Sequence, residues 1–100
     1  MDANFDYKTF LSAVNAEFES DDFPADWFVT LESDGNGIGA KRRWLTGGFI
    51  THIMTTPTDY PIWTWTVYQL GIPLITRRST AGAAGAARQA DFKALQRGAR

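Results

Sequence analysis

The chain has 100 residues, 14% aromatic and 21% charged, with no cysteine and a formal net charge of −1. That length predicts one domain over residues 1–100, and the missing cysteines exclude a disulfide framework and any thiolate site. No apolar run reaches the ~18 residues of a membrane helix, and Met1-Asp2-Ala3-Asn4-Phe5-Asp6 lacks the basic start and apolar core of a signal peptide, so a cytoplasmic protein without a membrane partner is expected.

Asn4 or Asp6 can cap a first helix over about residues 5–19, whose apolar positions Tyr7, Phe10, Leu11, Val14 and Phe18 follow one helical stripe. Pro24 ends the stretch, and a loop follows. Trp27 to Glu32 reads as a first strand. Ser33-Asp34-Gly35-Asn36-Gly37 then forms a turn of residues that tolerate positive φ. A return strand is placed at Ile38 to Leu45. Gly47-Gly48 breaks the chain before a strand at Phe49 to Thr55, and Thr56 to Pro61 is a loop.

The stretch from Ile62 to Leu95 organises the rest. Trp63, Trp65 and Val67 alternate with Thr64, Thr66 and Tyr68, the period of a strand with one buried face. Gln69-Leu70-Gly71 is a turn, Leu74 to Arg77 a second strand, and Ser79-Thr80 a cap for an alanine-rich helix. On that helix Ala83, Ala84, Ala87, Ala90, Ala94, Leu95 and Phe92 are predicted to share the face that lies on the tryptophans, with Arg88 on the same face pairing with Asp91 or reaching a partner. The expected fold is therefore α+β, an antiparallel sheet of four to five strands with an N-terminal and a C-terminal helix packed on it, joined as a meander.

The charges divide along the chain. Residues 1–34 hold nine carboxylates against Lys8 alone, a net of −8, and residues 35–100 carry +7. Such asymmetry suggests a pole that attracts a charged partner, or two halves whose charges interleave on one folded surface.

Few residues point to catalysis. Glu32 to Gly37 spaces oxygens as a calcium loop does, but its twelfth position is Arg43 instead of a bidentate glutamate. His52, the single histidine, falls inside a strand with neither a nucleophile elbow nor metal-ligating neighbours, and is expected to be a structural or surface histidine. Gly35-Asn36-Gly37-Ile38-Gly39-Ala40 lacks the lysine of a phosphate loop. No enzyme, metal or cofactor is expected.

Two sets of residues suggest binding instead. Glu17, Glu19, Asp21, Asp22 and Asp26, interleaved with Phe23 and Trp27, would enter a basic groove on another protein, with a ring as the desolvated anchor. Lys41, Arg42, Arg43, Arg77 and Arg78, with Trp44 for stacking, are the alternative, a small nucleic-acid-binding module. The helix–strands–helix order resembles a double-stranded RNA-binding domain in topology alone. That family opens its second helix with phosphate-contacting lysines, whereas Ala81 to Ala87 carries no charge.

The small size, absent cysteines, aromatic density, acidic Glu17-to-Asp26 patch and the Trp65-to-Arg78 strand–turn–strand unit leading into the alanine helix from Ala81 together resemble phage-encoded anti-CRISPR proteins. Inhibitors of type I-F systems are the most similar. The resemblance implies a stoichiometric, non-catalytic binder acting in the host bacterial cytoplasm. Its partner would be a CRISPR-Cas surveillance complex of Cas proteins with crRNA, kept from target DNA by occupation of its basic DNA path. Type I-E and I-C complexes fit the same features.

Overall fold

The computed structural model describes residues 6–31, 37–56 and 62–100. The Asn4 cap, the expected strand end at Glu32, the turn residues 33–36 and most of the loop before Ile62 lie outside them. Seven elements follow in order: α1 (Tyr7–Glu19), β1 (Phe28–Leu31), β2 (Ile38–Arg43), β3 (Phe49–Thr55), β4 (Trp63–Gln69), β5 (Ile72–Ser79) and α2 (Gly82–Gln96). The strands form one five-stranded antiparallel sheet in the order β1-β2-β3-β4-β5, the expected meander.

Asp6 caps α1, its carboxylate accepting from the backbone N–H of Lys8 at 3.0 Å and of Thr9 at 3.4 Å, and from Thr9 Oγ1 at 2.8 Å. Each bond occupies a donor that the first helical turn leaves without a partner. Phe10 and Val14 carry the buried stripe, while Tyr7 at its start is exposed. In β3 the burial alternates strictly, with Phe49, Thr51, Ile53 and Thr55 inside. Trp63, Trp65 and Val67 of β4 point the same way, because directly opposed residues of antiparallel strands share a face. β4 and β5 are joined by Leu70 and Gly71 with φ of 51° and 80°. Two positive-φ residues between paired strands make the turn whose twist matches the sheet. β5 extends beyond the expected Leu74–Arg77 at both ends, and its pairing with β4 slips once, between Val67 and Tyr68.

Both helices lie on the face that carries those rings. α2 packs across β3, β4 and β5, and α1 packs on α2. The buried stripe of α2 is Ala83, Ala86, Ala87, Ala90 and Ala94. Methyl groups alone bring its backbone close to Trp63 and Trp65, so a helix of low intrinsic propensity is held by tertiary contact. Phe92 and Leu95, expected on this face, are exposed. The buried positions recur every three or four residues from Ala83, and the turn angle of the helix carries 92 and 95 away from them. A ladder of edge-to-face rings runs from Trp63 through Phe18 and Phe23 to Trp27, with centroid separations of 5.5, 5.1 and 6.3 Å. It ties α1 and the loop after it to the sheet.

Candidate functional site

Strand alternation splits each basic cluster. Arg42 lies opposite Thr51 and Arg77 opposite Trp65, so both belong to the helix-bearing face. Lys41 and Arg43, opposite His52 and Ile50, belong to the other, which neither helix covers, and Arg78 opposite Thr64 joins them there. Cross-strand rows map this open face. One row reads Phe28, Lys41, His52, Thr66 and Thr76. Beside it, Arg43, Ile50 and Tyr68 form a second, and Gly39, Met54, Thr64 and Arg78 a third. Among the described strand residues of this face there is no carboxylate. Of the two expected patches, Lys41–Arg43 and Arg77–Arg78, the structure places Lys41, Arg43 and Arg78 on this face and Arg42 and Arg77 on the other.

Arg42 has a different occupation. Its Nη1 donates to Asp91 Oδ2 at 3.0 Å, and its Nη2 stands 3.5 Å from Asp26. Its guanidinium also lies 3.7 Å from the centre of the Trp44 ring, a cation–π contact. Asp91 is the hub: Trp27 Nε1 donates to it at 3.2 Å and Thr51 Oγ1 at 3.3 Å. Thr51 Oγ1 in turn accepts from Trp44 Nε1 at 3.2 Å. Burial pushes the Asp91 carboxyl above its ordinary value, and the Trp27, Arg42 and Thr51 interactions pull against that without reversing it. Asp91 thus joins α2 to β2, β3 and the residue before β1. Arg88, expected either to pair with Asp91 or to project toward a partner, instead donates to the carbonyl of Asp22, because the Asp91 side chain turns toward the sheet.

The acidic stretch is likewise divided. Glu17 Oε1 accepts from the backbone N–H of Ala83 at 2.9 Å, and its Oε2 accepts from Trp63 Nε1 at 3.3 Å. The N-cap position of α2 is Ala81, which has no side-chain acceptor. Glu17, on the other helix, therefore supplies the carboxylate that the start of α2 requires. Ser79, predicted as part of the cap, accepts from Ala81 N–H at 3.2 Å, just before the helix. Trp27, expected as an anchor for a partner, is only 7% exposed and belongs to the core. Glu19, Asp21, Asp22 and Asp26 remain at the surface, with Phe23 half-buried between them. Asp26 and Arg42 bring the two oppositely charged halves into contact.

Where β1 begins and β2 ends, a cleft of about 350 Å³ opens between Asp26, Phe28, Arg42, Arg43, Trp44 and Leu45. Phe28 and Leu45 are 69% and 93% exposed. Arg100 borders the cleft as well, and its carbonyl accepts from the N–H of Leu45 at 2.7 Å. Among the described residues no three histidine or carboxylate side chains stand close enough to hold a metal ion, and no helix is long and apolar enough to cross a membrane.

Glu17 and Asp91 were not singled out as a cap and a hub from the sequence. Both are single carboxylates whose partners lie 40 or more residues away. The one available signal was the lack of any polar residue at positions 81–87 to cap α2. No protein family, curated protein or solved structure matches the chain.

Proposed function

We propose that the protein is a non-catalytic binding domain whose open sheet face receives a nucleic-acid backbone. The observation that carries this reading is the segregation of charge. Lys41, Arg43 and Arg78 stand on the face that neither helix covers without a described strand carboxylate among them, while the exposed acids Glu19, Asp21, Asp22 and Asp26 lie at the end of α1 and in the loop after it. Tyr68 and Phe28 add rings to the same face, and a ring accepts any base because every base has a π-face. Three phosphate contacts predict a salt slope of about −2 on a single strand, a loss of roughly 20-fold in affinity between 50 and 200 mM salt. Fluorescence anisotropy with a labelled oligonucleotide tests it. Binding should weaken with that slope and vanish when Lys41, Arg43 and Arg78 are all changed to glutamate. Undiminished binding by the folded triple variant would refute this reading.

A second reading, inhibition of a CRISPR-Cas surveillance complex, is favoured by the exposed carboxylates Glu19, Asp21, Asp22 and Asp26 around the end of α1. Its contact set drops Glu17 and Trp27, which are engaged inside the protein, and keeps Phe23. A pull-down against a type I-F complex, with and without target DNA, tests it. Capture of the complex with loss of DNA binding supports inhibition, and no capture by folded protein removes that target.

A further inference from the structure

We propose that the cleft at the start of β1 and the end of β2 is a nucleotide site. It takes a phosphorylated aromatic group, with the phosphate toward Arg43 and the outer edge of Arg42 and the base against Phe28 and Leu45.

Four observations support this. Its volume, about 350 Å³, falls at the lower end of what small ligands occupy. Its walls combine guanidinium groups with exposed apolar surface, the two chemistries a nucleotide presents. Arg42 and Trp44 are already oriented: Arg42 by Asp91 and by stacking, Trp44 by its bond to Thr51. A site held by a supporting hydrogen-bond shell loses little freedom when a ligand arrives. Finally, the two edges of Arg42 are unequal. Nη1 is bound to Asp91, whose side chain is 14% exposed, whereas Nη2 faces Asp26 at 3.5 Å, whose side chain is 74% exposed. The second contact is long and wet, so a phosphate can replace the Asp26 carboxylate while Asp91 keeps the arginine in place.

The cleft shares Phe28 and Arg43 with the open face. The proposal rests on the nucleic-acid reading for the source of the nucleotide, not for its chemistry. A residue within a strand and a free mononucleotide present the same groups.

The four tryptophan indole N–H signals can be followed separately by NMR during titration with adenosine monophosphate, inorganic phosphate, adenosine and a short single-stranded oligonucleotide. Adenosine monophosphate should move the Trp44 signal saturably, with an affinity on the order of 1 mM or tighter. Phosphate and adenosine alone should bind at least about tenfold more weakly, since each offers half of the recognition. Arg43→Ala and Phe28→Ala should each weaken binding by about fivefold or more, and Asp26→Asn should strengthen it by removing the competing carboxylate. A merely structural role for Asp26 would not produce that gain.

No saturable movement of Trp44, or equal binding of phosphate and nucleotide, overturns the proposal. If the oligonucleotide still binds through Lys41 and Arg78 in that case, the nucleic-acid reading survives alone. If adenosine monophosphate binds and the oligonucleotide competes for the cleft, the source is a strand. If it binds and the oligonucleotide binds nowhere, the source is the free nucleotide and the open-face reading fails.

Discussion

Replacing Asp91 by alanine should destabilise the protein more than any exposed substitution, because it removes the shared acceptor of three donors, one of them the buried Trp27 indole. Trp27 is 7% exposed, and its indole N–H would lose its acceptor, a penalty of about 1–3 kcal/mol for a buried unsatisfied group. Arg42 would lose its nearer carboxylate. Its side chain is 24% exposed and can turn toward Asp26 and water, so this adds only about 1 kcal/mol. Thr51 Oγ1 still accepts from Trp44 and contributes little further. The expected loss is about 2–4 kcal/mol, out of the ~5–15 kcal/mol typical of a domain. It corresponds to a fall in Tm of roughly 10–30 °C for a chain of this size. Urea and thermal denaturation followed by circular dichroism would measure it. Asp91→Asn keeps an acceptor and relieves the burial of charge, so it should cost about half as much. A cycle with Arg42→Met should show a coupling of about 1 kcal/mol or more. A loss below about 0.5 kcal/mol for Asp91→Ala, or an asparagine variant as unstable as the alanine one, would refute the hub.

Glu17→Ala removes the cap of α2 and the acceptor of a tryptophan that is 1% exposed, and should cost about 2–3 kcal/mol. Faster hydrogen exchange in the first turn of α2 would locate the effect. Gly39→Ala places a Cβ into the carbonyl of Ile53 and 3.1 Å from the ring of His52, so β2 must shift against β3. A loss of about 1–3 kcal/mol by denaturant titration is expected. The pH dependences of two aspartates should have opposite signs. Hydrogen bonds from the Thr9 side chain and from the backbone lower the Asp6 carboxyl, so its contribution is full above the ordinary carboxylate value and is lost as pH falls through its folded value. Burial raises Asp91, so the folded state takes up that proton first and stability relative to Asp91→Asn grows on acidification. Parallel denaturation series against Asp6→Asn and Asp91→Asn would show the two gaps moving in opposite directions.

The sheet was legible in the sequence because its signals are local. The Trp63–Val67 alternation, the Leu70-Gly71 turn and the double glycine at 47–48 each act within a few residues, and the meander follows from short connections. The functional surface was less legible for two reasons. Lys41-Arg42-Arg43 is contiguous in the chain, yet a strand of period two sends its middle residue to the opposite face, where Asp91 receives it. Reading the alternation from Ile38 through the basic run would have separated Arg42 from its neighbours. Glu17 and Asp91 were beyond such reading, since each acts on partners brought near only by the packing of α2. The same packing explains why the acidic stretch lost two of its proposed contact residues, Trp27 to the core and the half-buried Glu17 to the start of α2.

Every described strand after β1 pairs with the strand that precedes it in the chain. The sheet can thus assemble hairpin by hairpin as the chain leaves the ribosome, without waiting for a distant segment. Its cover cannot. Trp63, Trp65 and Ile53 are shielded by α2, the last described element to be synthesised, and the start of α2 is closed by a glutamate from the first. Between completion of β5 and docking of α2, the nascent chain exposes a sheet surface that is both aromatic and unprotected, the interval in which a chaperone or a self-association event would act.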